Sequence, residues 1–244
     1  MKNFLLKSKG NPPAWFKSEV EYWLVVSVMF SIGLAVVGSI FSGRFLLGFL
    51  IWNLFLGYIP YAISRWMQRR NDWKSNRLLF GICLIVWLLF IPNSFYIITD
   101  LFHLGTFKRM PLWFELTVIL SFAWNGLLLG VLSVHQIEKL IMVSLSKGAR
   151  FLFIYPVMFL NALGVYIGRY MRFNSWDVIT NPFQLMKDIS ELALNPIEYK
   201  YAWGMVFCFS IFMTLLFFTL ISAKREAATV SRELASELNK KSRN

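Results

Sequence analysis

Up to the tail, apolar residues in this chain run on in blocks of about twenty, separated by short polar stretches. A helix needs about 20 mostly apolar residues to cross a bilayer core. Six blocks meet that length: Tyr22 to Phe41, Phe45 to Ser64, Leu78 to Ile98, Leu112 to Val134, Phe151 to Met171 and Tyr201 to Ser222. The pattern predicts an all-α integral membrane protein, a bundle of six transmembrane helices. It divides the chain into a basic segment 1–21, a six-helix domain 22–223 and a tail 224–244. The first block follows Lys2, Lys7, Lys9 and Lys17 and so resembles a signal peptide. Its apolar run exceeds the roughly 7–15 residues of a signal h-region, so it is expected to stay as a helix. In the tail, Ala227, Val230, Leu234 and Leu238 recur at helical spacing among charges. That narrow stripe suits a helix lying on headgroups or docking a cytoplasmic partner.

Composition agrees with the pattern. Hydrophobic residues make up 57% and charged residues 16%, whereas soluble domains carry about 25% charged residues. That excludes a disordered chain, a disulfide scaffold and a soluble enzyme. The net charge of +12 would suggest nucleic acid in a soluble protein, but its placement explains it otherwise. Eighteen of the 25 Lys and Arg fall in one set of alternate connections and the two ends, seven in the other set. By the positive-inside rule both termini are cytoplasmic, the excess charge meets anionic headgroups, and no nucleic-acid partner is needed.

Candidate chemistry collects in two stretches expected on the outer side. The first is IPNSFYIITDLFHL, Ile91 to Leu104. Pro92 cannot donate to the preceding turn, so a kink or break is expected near Phe90, with Asn93, Ser94 or water satisfying the freed carbonyl. Tyr96 and Thr99 follow. Asp100 and His103 lie three residues apart and share a face if helical, which suits acid/base work by a carboxylate-oriented imidazole. The second stretch is GRYMRFNSWDVITNP, Gly168 to Pro182. Arg169 and Arg172, one turn apart, present planar donor forks for phosphate or carboxylate; Asn174, Ser175 and Asp177 follow, Asp177 as an N-cap. Asn181-Pro182 is expected to stop any helix there. Asp100, His103, Arg169, Arg172 and Asp177 are expected to meet in an outer cleft, with Asn93, Tyr96 and Asn174 as further ligand contacts, Glu115 at the rim and Asp188 more remote. A structural carboxylate and arginine network at the membrane surface is the alternative.

At mid-depth, Asn53, Asn125 and Asn161 read as interhelical glue, or less simply as the lining of a transport path, and Gly126/Gly130 and Gly164/Gly168 as GxxxG faces bringing helices four and five together. Cys83 and Cys208 sit in apolar runs and carry no metal or redox signal. GxxxxGK[ST], GxSxG, HExxH and CxxC are absent from the sequence, so no cofactor and no metal is assigned.

The stretches IPNSFYIITDLFHL, PLWFELTVILSFAWNGLLLG and GRYMRFNSWDVITNP together are similar to the bacterial multi-pass membrane family catalogued as domain of unknown function 1361, over about Phe45 to Asp188. The chain departs from that family's usual pattern at Ser94-Phe95, where alanine and proline are usual, and at Asn125, where threonine is usual. The resemblance implies a bacterial cytoplasmic membrane and no particular activity. Three functions are therefore expected in order: binding or processing an anionic lipid or lipid-linked substrate at the outer face; a noncatalytic subunit or assembly factor meeting membrane-protein partners through the GxxxG faces or tail; and a small-solute transporter.

Overall fold

The computed structural model describes residues 19–42, 48–70, 76–105, 110–141 and 147–241. Among them are eight α-helices: α1 Glu19–Ser42, α2 Gly48–Arg69, α3 Arg77–Tyr96, α4 Leu112–Ile141, α5 Lys147–Tyr166, α6 Asp177–Thr180, α7 Pro182–Leu194 and α8 Lys200–Lys241. Two tighter or wider turns prolong them: α3 runs on as a 3₁₀-helix, Ile97–His103, and α5 as a π-helical turn, Ile167–Met171. The side chains of Leu234 and Leu238, like the basic residues before Glu19, Arg44, Lys108 and Arg109, lie outside the described residues.

Five segments are long and apolar enough to cross a membrane: Glu19–Phe41, Arg77–His103, Leu112–Ile141, Gly148–Met171 and Lys200–Ser231. The bundle also wears its apolar residues outward, with Trp23, Ile40, Leu78, Leu152 and Leu215 all more than 60% exposed. A soluble protein does not present such a surface continuously, and the chain is membrane-embedded. The second block folds as α2, yet it falls outside the five. It carries Asn53, Pro60, Ser64, Arg65 and Gln68, and its polar side chains find partners inside the bundle.

Helix α4 organises the interior. Its long buried stripe joins two apolar cores, one with α1 and α2 around Leu50, Leu54, Val118 and Phe122, the other with α3, α5 and α8 around Trp87, Ile91, Phe95, Met158 and Phe217. The glycines do not join α4 to α5 as expected. A Cβ on Gly126 would come 2.6 Å from the Ser94 carbonyl, one on Gly130 would strike the Phe95 ring at 2.8 Å, and one on Gly164 would strike Pro92 at 2.6 Å. Both glycine faces thus receive α3, which lies between α4 and α5, because the ridge at Pro92 to Phe95 is what the missing side chains admit. The Gly126/Gly130 face is filled within the chain.

The expected break near Phe90 is also displaced. Helix α3 continues through Pro92 to Tyr96. The Asn93 amide donates to the Phe90 carbonyl at 3.0 Å and the Ser175 hydroxyl to the Leu89 carbonyl at 2.9 Å, supplementing the turn that the proline disturbs. The change of winding comes at Ile97 instead.

Candidate functional site

At the end of the bundle where α2 begins and α3 and α5 finish, the two polar stretches come together. The 3₁₀ winding after Tyr96 has three residues per turn, and Ile97, Thr99 and Asp100 are its buried residues. Asp100 is 0% exposed. Its carboxylate accepts from Asn53 Nδ2 at 2.9 Å and from Arg169 Nη1 at 3.3 Å. The same guanidinium donates to the Thr99 carbonyl at 2.9 Å and the Tyr96 hydroxyl at 3.2 Å, and lies over the Tyr96 and Phe102 rings. A buried charge survives only when paired and hydrogen-bonded. Here α2, the end of α3 and the π turn after α5 together provide that pairing.

The π turn sets Arg169 in place. Such turns insert one residue and re-aim the side chains beyond them, and they concentrate at functional sites. Immediately afterwards Arg172 takes a left-handed backbone, φ 61°, with its N–H bonded to the Ile167 carbonyl. The expected one-turn pairing of Arg169 with Arg172 is thereby lost. Arg172 is exposed and its side chain makes no hydrogen bond or ion pair among the described residues, while the Arg169 guanidinium is fully engaged.

The other expected residues divide similarly. His103 shares the 3₁₀ segment with Asp100 but packs edge-on against Phe49, ring centroids 5.4 Å apart, and no hydrogen bond joins it to Asp100. Asp177 does not cap α6 from outside; it is that helix's first residue, and its carboxylate turns back to the Asn174 N–H at 2.6 Å, the Asn174 amide and the Thr180 hydroxyl. These donors, the Asn174 backbone first, hold the Asp177 carboxyl below the usual carboxylate range. Helix α6 ends at Asn181 and Pro182 opens α7, the stop expected from Asn-Pro. Glu115 is buried and accepts the Gly105 N–H at 3.0 Å, fixing the turn where Gly105 has φ +82°. Asp188 pairs with Gln184 on exposed α7.

A cavity of about 280 Å³ adjoins the buried pair. Asn53 and Tyr96 form the wall between the two, and Asn93, Asn174, Ser175, Pro92, Gly168 and Trp52 complete much of the lining, with Val178, Leu185 and Ile189 closing it from the α6–α7 side. Asn93 is held by Ser175 at 2.9 Å, which ties α3 to the loop after the π turn. Asn53, expected as mid-membrane glue, and Ser175, from the second polar stretch, both belong to this lining. The apolar block starting at Phe45 puts Asn53 at mid-depth, whereas α2 is Gly48–Arg69 and Asn53 lies near its start, within reach of Asp100; nothing in the sequence announces the π turn. The remaining asparagines face elsewhere: Asn125 donates to Ser31 at 2.9 Å and Asn161 only to the Met158 sulfur at 3.9 Å.

A second ionisable group, whose members form no motif in the sequence, lies at the opposite end. His135 Nδ1 is 2.8 Å from Glu138, whose carboxylate is also gripped by Arg150, and Arg150 lies over Phe217 and Phe218. Helices α4, α5 and α8 are tied together there, and the Glu138 carboxylate is satisfied within the cluster. Among the described residues no three His, Cys, Asp or Glu side chains are grouped to hold a metal ion.

No curated protein and no solved structure matches the chain. The family described as protein of unknown function (DUF1361) matches residues 52–216, a stretch that takes in the buried pair and its whole cavity, and the chain belongs to that family.

Proposed function

We propose that the protein is a six-span protein of the bacterial cytoplasmic membrane, with both termini cytoplasmic, whose outer face binds the polar head of a lipid or lipid-linked molecule. The orientation follows from the basic residues, 18 to one side and seven to the other. At 22 residues, α2 is about 33 Å long, enough to serve as the sixth span beside its more apolar neighbours.

The observation that carries the binding reading is the cavity of about 280 Å³ at the outer helix ends, walled by Asn53 and Tyr96 and backed by their bonds to Asp100 and Arg169. Small-ligand sites are concave, mostly apolar and equipped with a few fixed polar groups, and this one lies where a headgroup would sit. Helix α7 supports the same placement: it buries Leu185 and Leu192 and exposes Phe183 at 89% and Met186 at 63%, the habit of a helix lying in an interface. The reading is binding rather than acid/base catalysis. Asp100 is held behind the cavity wall by Asn53 and Arg169, and His103 rests on Phe49; in this reading Asp100 and Arg169 position the wall.

The test is mass spectrometry of molecules that co-purify with the protein in mild detergent. Wild type is expected to retain a lipid or lipid-linked species that Val178→Trp, which fills the cavity's edge, loses. Equal retention by both would overturn the assignment to this cavity.

A second reading rests on α8. The helix continues to Lys241, and residues 222–231 are all exposed, so a cytoplasmic arm is free to engage a membrane-protein partner, the protein then acting as a noncatalytic subunit or assembly factor. A stoichiometric partner in pull-downs that disappears when the chain stops after Ser231 would favour it over a ligand site.

A further inference from the structure

If the cavity receives a headgroup, as proposed, the hydrogen-bonding sense of its wall specifies which kind. Asn53 spends an amide hydrogen on the Asp100 carboxylate. Asn93 spends both of its amide hydrogens, on the Phe90 carbonyl and on the Ser175 hydroxyl. A carboxylate and a peptide carbonyl can only accept, so neither carboxamide can be turned over without setting two acceptors against each other. The Oδ1 oxygens of Asn53 and Asn93, both lining residues, are consequently left as acceptors, with no hydrogen-bond partner among the described residues and without being sealed from solvent. Tyr96 accepts from Arg169, which leaves its own O–H to donate.

No charged side chain lines the cavity. Arg169, the guanidinium behind its wall, is matched by Asp100, the Thr99 carbonyl and the Tyr96 hydroxyl. A phosphate brought here would face two carbonyl dipoles of the wrong sign and no cation in the lining; the Tyr96 O–H and the spare amide hydrogens of Asn53 and Asn174 are neutral donors that replace its hydration only in part. An ammonium group would find acceptors but no uncompensated carboxylate. A hydroxyl both donates and accepts, and satisfies the amide oxygens and the tyrosine hydroxyl alike. Half-exposed Trp52 and the ring of Pro92 supply flat apolar surface, and Leu56, Leu89, Leu185 and Ile189 add aliphatic lining. The volume of about 280 Å³ stands at the lower end of small-ligand sites, room for one ring rather than a chain of them.

We infer that the cavity selects an uncharged, polyhydroxylated head, a glycosyl or similar polyol group carried on an apolar stem, and that it discriminates against phosphate.

The experiment measures thermal stabilisation of the delipidated, detergent-solubilised full chain by four probes with identical acyl chains: glucosyl-diacylglycerol, phosphatidic acid, phosphatidylethanolamine and diacylglycerol. Glucosyl-diacylglycerol is expected to stabilise the protein at concentrations at least about tenfold lower than the other three, the loss of one or two satisfied hydrogen bonds being worth that factor. Asn93→Leu should erase the advantage. Val178→Trp, at a lining residue that takes no part in those hydrogen bonds, should do the same with the fold intact. Phosphatidic acid or phosphatidylethanolamine acting as well as the glucosyl lipid, and losing that effect in Val178→Trp, would overturn the inferred head chemistry while leaving the headgroup cavity standing. Stabilisation by none of the four would overturn both. A glucosyl effect that survives Val178→Trp places the binding elsewhere and also overturns the inference.

Discussion

Removing Arg169 alone should harm the protein more than removing Arg169 and Asp100 together. Asp100 is completely buried, and its carboxylate is held by one guanidinium and one carboxamide. Deleting one member of a buried pair strands the other charge and costs about 3–5 kcal/mol, whereas replacing both by apolar groups of similar volume is often nearly neutral. Arg169→Met should therefore unfold well below wild type in a thermal melt in detergent, and Asp100→Leu/Arg169→Met should recover most of the loss; equal damage in both would contradict a structural pair. Asp177 supplies the pH-dependent case. Its carboxyl is held low by the Asn174 N–H and the Thr180 hydroxyl, so its folded pKa lies below the unfolded one. The turn at 174–180 gains stability from it at any pH above the unfolded value, and loses that gain as pH falls through the folded value. Proteolytic nicking of this turn should rise on acidification in wild type and be insensitive to pH over that window in Asp177→Asn. Both residues are visible as polar oddities in the sequence. Their partners are not, since Arg172 carries the same chemistry as Arg169 and only the π turn and a left-handed residue separate them.

Among the elements, α3 lies at the centre, flanked by α2, α4 and α5 through close approaches at Gly57, Gly126, Gly130 and Gly164. A methyl at Gly126 would press on the Ser94 carbonyl, which is backbone and cannot swing aside, while one at Gly33 meets nothing within 4 Å. Gly126→Ala should cost about 1–3 kcal/mol, the usual penalty of overpacking, and Gly33→Ala should not destabilise, since alanine is the better helix former. Paired thermal melts check the contrast. The sequence spacing exposes the small faces of α4 and α5 without naming what they receive, because a GxxxG stripe states how closely a helix can approach and not which helix does. The same limit applies to Pro92: a proline weakens a turn, but whether the helix breaks depends on neighbours such as Ser175, 86 residues along the chain from the carbonyl it bonds.

The whole molecule is defined by its solvent and its two ends. One end holds the Asp100–Arg169 pair and the cavity, the other the His135–Glu138–Arg150 cluster and the projecting arm of α8. With Cys83 and Cys208 replaced by alanine, a cysteine at Thr180 should react with a membrane-impermeant thiol reagent in intact cells, and one at Thr229 should react only after permeabilisation. The reverse pattern would turn the cavity to the cytoplasm. By itself, the sequence determined the all-helical membrane architecture, where the long apolar helices lie and the family, because burial in lipid demands long uninterrupted apolar runs; the polar ends of α4 and α8 and the short helices α6 and α7 carry no such run and are not marked by it. The basic-residue asymmetry likewise needs only counting. The tertiary structure alone decided that Asp100 answers to Asn53 and Arg169 rather than His103, that Arg172 stands apart, that α3 fills both glycine faces, and that asparagines and no cation line the cavity. Those facts depend on which polar group reaches which partner across 47 to 82 residues of chain, and hydrogen bonds saturate: a donor already spent on one acceptor cannot serve a ligand.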